Sequence, residues 1–243
     1  IYLHPLFYLI SFISFLTGHF RHFLYFTLLI FIHELGHSFT GILLGFQLNR
    51  IEIYPYGGCS KLEYDINTSL KKEILVLLMG PIIQVVFVEI VKHFFIMEPY
   101  FYIYHYFILC FNLLPIYPLD GGRLLNLFLA YLFSYYNSMK TVLYISSFLY
   151  SSFFLFTLLF TKNIIYIVVV LLLGINLYKE IKQANFYFQK FLTERYLKDY
   201  SFKKTKEITE LKQMRRDYYH YFITEKEIIS EKEKLSLYFS YFF

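Results

Sequence analysis

Long stretches of the chain carry no charged side chain, and this constrains the fold more than any other feature of the sequence. Residues 141–161, for example, include no Asp, Glu, Lys or Arg. A helix needs about 20 mostly apolar residues to cross the hydrocarbon core of a bilayer. Over the whole chain, 57% of the residues are hydrophobic and only 17% are charged. This composition indicates a membrane protein rather than a soluble domain.

The apolar stretches predict an all-α polytopic membrane protein with about six transmembrane helices. We place these spans at residues 2–16, 23–46, 73–95, 100–119, 141–161 and 163–178. A further apolar helix at residues 124–139 is interpreted as interfacial or as a continuation of the fourth span. Lys and Arg concentrate in the loops that share a side with the C-terminal tail, so the positive-inside rule places both termini in the cytoplasm.

Residues 47–72 interrupt the helical pattern and predict a hairpin loop that lies at the membrane or dips into it. Ile51 and Ile53 alternate with polar residues, and a turn at residues 54–58 follows them. Irregular backbone at membrane depth needs protein or a watery cavity to satisfy its polar groups. An edge strand at residues 51–64 could pair with an extended substrate by strand addition.

Two histidines and a glutamate lie inside the second apolar stretch. The sequence His-Glu-Leu-Gly-His contains His33, Glu34 and His37. Residues four apart on a helix share one face, so both imidazoles can reach one metal ion, and Glu34 falls on the same side. A carboxylate at membrane depth costs about 2.5–3.5 kcal/mol and therefore indicates a functional site. The motif predicts a metalloprotease active site placed inside a membrane.

A catalytic zinc ion usually takes three protein ligands and keeps one position open. Asp120 is the only acidic residue between residues 99 and 179, and the glycine pair that follows it lets the backbone bend. One interpretation makes Asp120 the third ligand of a single zinc ion, beside His33 and His37. The other makes Asp120 the N-cap of a helix at residues 124–139.

Several motifs together resemble the site-2 protease family of intramembrane zinc metalloproteases, and in particular its stage IV sporulation protein FB group. These are His-Glu-Leu-Gly-His in an early span, the Gly57-Gly58 loop, Gly80-Pro81 in the next span, and Asn-Leu-Leu-Pro-Ile-Tyr-Pro-Leu-Asp-Gly-Gly at residues 112–122. The resemblance implies that His33, His37 and Asp120 bind zinc and that Glu34 is the general base. It also implies that the substrate cleft is shaped by Asn112, Pro115 and Pro118 and that the peptide is gated or held by Gly57 and Gly58.

The same resemblance implies a substrate, partners and a location. The expected substrate is the membrane-associated pro-segment of a sporulation sigma factor. The expected partners are inhibitory membrane proteins that keep the protease silent until a signal arrives. The expected location is a bacterial cell membrane, namely the mother-cell-derived membrane around the forespore, where the chain is a multi-pass integral protein.

We divide the chain into an intramembrane metalloprotease domain at residues 1–180 and a C-terminal part at residues 181–243. The C-terminal part is predicted to be a linker helix and a small cytoplasmic regulatory segment. Residues 179–243 carry 14 Lys and Arg against ten Asp and Glu, a mild excess that suits a bilayer surface better than nucleic acid. Members of the group that the chain resembles often end in a nucleotide-binding CBS domain, and residues 219–239 could form one degenerate repeat.

Two other classes of function are compatible with an apolar chain that carries a metal-binding motif. A multi-pass metal-ion transporter would string polar residues along several spans, whereas the sequence holds one tight cluster with Glu34 adjacent to His33. An inactive protease-like scaffold would not need Glu34, His33, His37 and Asp120, and all four are intact. The sequence therefore favours the protease over both.

Overall fold

The computed structural model describes residues 1–54, 57–160, 164–224 and 227–240. Pro55 and Tyr56 of the predicted turn lie outside the described residues, as do residues 161–163 at the boundary of the last two predicted spans. The chain divides into two compact units. The first unit comprises residues 1–64 and 71–114, and the second comprises residues 65–70 and 115–243.

Helices make up most of the first unit. They are α1 (Pro5–Leu16), α2 (Phe20–Leu43), α3 (Leu70–Phe94) and α4 (Pro99–Asn112). Proline opens both α1 and α4, which suits its fixed backbone angle and its missing N–H. The apolar core of this unit joins α2, α3 and α4 through Leu29, Ile30, Val88, Phe101 and Ile108.

The predicted hairpin is confirmed as a small sheet that lies against α2. Its strands are β1 (Tyr2–Leu3), β2 (Gln47–Tyr54) and β3 (Gly57–Glu63), in the order β1-β2-β3. Strands β2 and β3 are antiparallel, with Ile53 opposite Gly58. The chain start differs from the prediction, because Tyr2 and Leu3 pair in parallel with β2 instead of beginning a span. The His4-Pro5 step explains this, since a residue before proline favours extended backbone and proline then starts α1.

A buried carboxylate ties the hairpin together. Glu52 on β2 is 3% exposed and accepts hydrogen bonds from Lys61 Nζ at 2.9 Å and from the Tyr54 hydroxyl at 2.9 Å. Arg50 Nε lies 2.6 Å from Glu52 Oε1, the oxygen that Lys61 also contacts. The hydrogen bond from Lys61 lowers the pKa of Glu52 below 4.5, although burial opposes it. Glu52 is therefore ionised at neutral pH and holds both strands of the hairpin.

Three helices of the described residues are long and apolar enough to cross a membrane: α2, α3 and a helix of the second unit at Tyr135–Phe160. Helix α1 has 12 residues and α4 has 14, which at 1.5 Å per residue correspond to about 18 Å and 21 Å. Both are shorter than a hydrocarbon core of about 30 Å. The structure thus supports a membrane protein, and the number of six spans stays a prediction.

The second unit combines helices with a second small sheet. Its helices are α5 (Asp120–Leu132), α6 (Tyr135–Phe160), α7 (Ile164–Leu197) and α8 (Glu231–Ser240), and its strands are β4 (Thr205–Ile208), β5 (Tyr219–Ile223) and β6 (Ile228–Ser230). Strand β4 is parallel to β5, and β6 is antiparallel to β5. The helix predicted at residues 124–139 is interrupted at Ser134. The Ser134 hydroxyl accepts the Asn137 N–H, which is the N-cap arrangement that starts a new helix.

A buried arginine organises the C-terminal part of the second unit. Arg195 on α7 is 2% exposed. Its guanidinium donates to the side chains of Asn67 and Glu231 and to the carbonyls of Arg215, Arg216 and Tyr218. The surrounding apolar core contains Phe191, Leu192, Ile208, Met214, Phe222 and Leu235. Arg195 therefore joins α7, the segment 65–70 and the residues around β5 in one network.

Candidate active site

Helix α2 places the two motif histidines side by side, as the four-residue spacing predicts. His33 is 1% exposed and His37 is 6% exposed. Their Nε2 atoms lie 3.1 Å apart, and their ring planes meet at 77°. The two imidazoles thus direct their Nε2 atoms toward one point in the interior of the first unit.

The other nitrogen of each ring is held by an acceptor on α3. His33 Nδ1 lies 2.9 Å from Gln84 Oε1, and His37 Nδ1 lies 2.9 Å from the Val76 carbonyl oxygen. Both oxygens can only accept, so each neutral ring carries its proton on Nδ1. The two Nε2 atoms are then lone-pair donors.

This pair of atoms suits a zinc ion. Two facing lone pairs cannot form a hydrogen bond with each other, whereas a cation can bind both. Zinc binds histidine nitrogen at about 2.0–2.1 Å, which places two tetrahedral ligands roughly 3.3–3.4 Å apart. The observed 3.1 Å is close to that separation. Metal-binding histidines commonly donate the second N–H to a carbonyl or a similar acceptor, as both rings do here.

Glycines allow α2 and α3 to approach closely enough for this arrangement. A Cβ atom on Gly36 would lie 2.8 Å from the Gly80 Cα and would also meet the Met79 backbone. A Cβ on Gly80 would collide with the His37 ring. Helix α3 continues through Pro81, and Gly80 lets it pack closely against α2.

Glu34 is held by the hairpin. It is 8% exposed, and its Oε2 accepts a hydrogen bond of 2.7 Å from the Ser60 hydroxyl on β3. The Ser38 hydroxyl donates to Ser60 Oγ at 2.9 Å. A Cβ on Gly58 would lie only 2.5 Å from Glu34 Cγ. Strand β3 therefore lies directly against the carboxylate predicted to act as the base.

The structure brings Gly58 to Glu34 but leaves Gly57 apart, because a Cβ on Gly57 would meet no atom of the described residues within 4 Å. Asn112 is the last residue of α4 and is half-buried. In the second unit, Pro115 is exposed and Pro118 is half-buried after a cis Tyr117–Pro118 bond. The substrate-binding roles given to these residues stay predictions.

Asp120 is the first residue of α5, and Leu119 occupies the N-cap position. The interpretation of Asp120 as the N-cap of a helix starting at residue 124 is therefore wrong, since the helix starts at Asp120 itself. Asp120 is half-buried. Its role as the third zinc ligand stays a prediction.

Two residues near the motif were not found from the sequence, namely Gln84 and Ser60. One signal for Gln84 was present, because it lies four residues after Gly80 and hence on the same face of α3. Ser60 follows the glycine pair by two residues, and strand alternation places it on the same face as Gly58. Neither signal identifies the partner, which lies on another element.

Two buried histidines with a carboxylate beside them, on an apolar helix, indicate a metal-dependent hydrolase of the membrane. Comparison with known proteins agrees. Residues 22–100 match peptidase family M50, and this segment contains His33, Glu34, His37 and Gln84.

Relatives and a solved structure extend the match. Stage IV sporulation protein FB of Bacillus subtilis (strain 168) is 31% identical over 209 residues, which are 81% of this chain and 71% of that protein. Zinc metalloprotease MJ0392 of Methanocaldococcus jannaschii is 30% identical over 121 residues, which are 46% of this chain and 35% of that protein. The structure of a site-2 protease from Methanocaldococcus jannaschii is similar with a TM-score of 0.56 and 28% identity, over 73% of this chain and 88% of that one. The chain belongs to peptidase family M50, the metalloprotease family that the sequence motifs resemble.

Proposed function

We propose that the chain is an intramembrane zinc metalloprotease that hydrolyses a peptide bond of a membrane-associated protein. The observation that carries the proposal is the pair of buried Nε2 atoms of His33 and His37, 3.1 Å apart on an apolar helix, with Glu34 between them in sequence. His33, His37 and Asp120 hold one zinc ion. When bound, the zinc ion supplies Lewis-acid polarisation and lowers the pKa of water.

Glu34 is the general base and general acid of this reaction. Ser60 donates to one of its oxygens, so the carboxylate is held in one rotamer. Glu34 takes a proton from the attacking water and passes it to the leaving amide nitrogen. The apolar surroundings on α2 limit access of bulk water to the carboxylate and strengthen its interactions with charged or polar groups.

The scissile segment of the substrate must be extended, because a peptide bond inside a helix is shielded by the helix. Strand β3 lies at one edge of its sheet and passes Glu34 at Gly58. Pairing of the substrate with β3 would deliver an extended peptide to the base. Asn112, Pro115, Pro118 and the Gly57-Gly58 pair contribute to the substrate cleft.

The similarity to a sporulation protein supports a more specific proposal. The substrate is the pro-segment of a sporulation sigma factor, and inhibitory membrane proteins restrain the enzyme. The chain crosses the mother-cell-derived membrane around the forespore six times, with both termini in the cytoplasm. Residues 181–243 form a linker helix and a cytoplasmic regulatory segment.

Co-expression of the full chain with a membrane-associated sigma-factor precursor tests the proposal. Glu34→Gln should lower cleavage by about 10²–10⁴-fold, the usual contribution of a general acid–base group, while zinc stays bound. Glu89→Gln is the matched control, since Glu89 is exposed and pairs with Lys92 on the same turn of α3. A chelator should abolish cleavage and added zinc should restore it. Unchanged proteolysis by the Glu34→Gln variant would refute the proposal.

A further inference from the structure

Gln84 connects the first motif histidine to a second histidine on a different helix. It lies on α3 and is completely buried. Its Oε1 is 2.9 Å from His33 Nδ1 on α2. Its Nε2 is 3.2 Å from His105 Nδ1 and 3.3 Å from the His105 carbonyl oxygen, both on α4. One amide side chain thus bridges three helices of the first unit.

The two ends of an amide are chemically different, which gives this bridge a direction. The oxygen can only accept, so His33 Nδ1 must donate its proton to Gln84. The nitrogen can only donate, so His105 Nδ1 must accept. The network therefore assigns the ring proton of His33 to Nδ1 and leaves His33 Nε2 able to bind a metal.

An amide turned by 180° would reverse the assignment at His33. Its NH₂ group would then face His33 Nδ1, and the ring proton would move to Nε2, which blocks metal binding at that atom. The rotated oxygen would also face the His105 carbonyl oxygen, so two acceptors would be in contact without a proton. The His105 carbonyl thus opposes the rotated amide, because it can only accept, whereas the His105 ring accepts the observed amide and adds a second hydrogen bond that holds it.

We propose that Gln84 is a positioning residue that sets the tautomer and the ring orientation of His33 for metal binding, and that His105 fixes the orientation of the Gln84 amide. The inference rests on the proposed function, because it concerns the metal site of that function. Neither Gln84 nor His105 binds the metal in this account. Both act through His33, from the side opposite to His33 Nε2.

Metal affinity of the purified full chain is the direct test. We expect Gln84→Leu to weaken zinc binding by about 10–100-fold in competition with a chromophoric chelator, the usual loss when the partner of a metal-binding histidine is removed. The absorption spectrum of the Co²⁺-loaded chain should change as well, since the His33 ring is no longer held. His93→Phe is the matched control, because His93 is an exposed histidine on α3, and it should leave the affinity unchanged.

A second pair of variants separates orientation from packing. His105→Phe keeps an aromatic ring but removes the acceptor, so it should weaken zinc binding in the natural background, by less than Gln84→Leu because the His105 carbonyl remains. Gln84→Leu leaves no amide to orient. In the Gln84→Leu background, His105→Phe should therefore have little further effect on zinc affinity.

The outcomes separate this inference from the proposed function. Equal losses from His105→Phe in both backgrounds would show that His105 acts only by packing, and they would overturn its orienting role. If Gln84→Leu binds zinc with the same affinity as the unsubstituted chain, the role of Gln84 is overturned. The protease proposal would still stand in that case, provided that the unsubstituted chain cleaves the substrate. If the unsubstituted chain binds no zinc and cleaves nothing, the proposed function fails instead.

Discussion

Ser60 on β3 donates a 2.7 Å hydrogen bond to the Glu34 carboxylate on α2. A serine hydroxyl has one proton, and the Ser38 hydroxyl donates to Ser60 Oγ at 2.9 Å. The Ser60 proton is therefore directed away from Ser38 and toward Glu34. Because one carboxylate oxygen is engaged in this way, the other is the one that can exchange protons with water and substrate.

Replacement of Ser60 by alanine should impair catalysis without impairing metal binding. We expect kcat to fall roughly tenfold, which corresponds to about 1.4 kcal/mol in the activation barrier, because the carboxylate loses its fixed orientation. Zinc affinity should be unchanged, since Ser60 is bonded to Glu34 and not to the histidines. Ser152→Ala on α6, where the hydroxyl donates to the Phe148 carbonyl, is the control. A parallel loss of zinc in Ser60→Ala would contradict this division of roles.

The two glycines of the hairpin should differ in their response to substitution by alanine, with Gly58 sensitive and Gly57 tolerant. In Gly58→Ala, the new methyl group would meet Glu34 Cγ at 2.5 Å and Ile30 Cγ2 at 2.9 Å, so either the hairpin or the carboxylate must shift. We expect at least a tenfold loss of kcat/KM, or about 1.4 kcal/mol. In Gly57→Ala, the new methyl group would meet no atom of the described part of the chain within 4 Å, so this variant should cleave normally. Equal effects at both positions would mean that the glycines act on the substrate or on loop flexibility rather than on Glu34.

The parts of the site that follow from local periodicity could be predicted from the sequence. The four-residue spacing of His33 and His37 fixes their shared helix face, and the alternation of Ile51 and Ile53 indicates a strand. Both features depend only on the geometry of one element. The structure agrees with both, as the 3.1 Å separation of the Nε2 atoms and the β2–β3 pairing show.

The parts that depend on contacts between elements could not be predicted in this way. Gln84 bonds to a residue 51 positions earlier, and Ser60 bonds to one 26 positions earlier. The pairing of Tyr2 with Glu52 likewise needs the hairpin to exist first. The predicted helix at residues 124–139 was wrong for a different reason. The apolar pattern continues across Ser134, but the hydrogen bond from the Asn137 N–H to the Ser134 hydroxyl starts a new helix there. Side-chain capping competes with helix propensity and has no hydrophobic signal.

The buried Arg195 should be essential for the stability of the C-terminal part. Arg195→Met removes the charge but keeps much of the volume, and it leaves Glu231 buried without the partner that lies 3.2 Å away. Removing one member of a buried ion pair costs about 3–5 kcal/mol. We expect protease cleavage after residue 197 to begin at a much lower urea concentration than in the unsubstituted chain. Lys203→Met, at an exposed position, should not change that concentration.

Acidification should destabilise the same region through His220. This side chain is fully buried, donates from Nδ1 toward Glu231 at 3.0 Å and accepts the Arg215 N–H on Nε2 at 3.0 Å. Burial lowers the pKa of His220 below 6.5, and Arg195 and Lys206 act in the same direction, while Glu231 opposes them. Below pH 6.5 the unfolded segment therefore binds a proton that the folded segment does not. Stability is complete above that pH and falls as the pH drops toward the lowered pKa.

The free energy of unfolding should fall by up to about 1.4 kcal/mol per pH unit for one proton. The readout is the urea concentration at which the C-terminal segment becomes sensitive to protease, which should fall with pH. His220→Gln has no imidazole to protonate and should remove most of the pH dependence just below pH 6.5, even if it lowers stability at neutral pH. His93→Gln, at an exposed histidine of α3, should keep the dependence. An unchanged slope in His220→Gln would show that another group controls the response, because no proton could then bind at position 220.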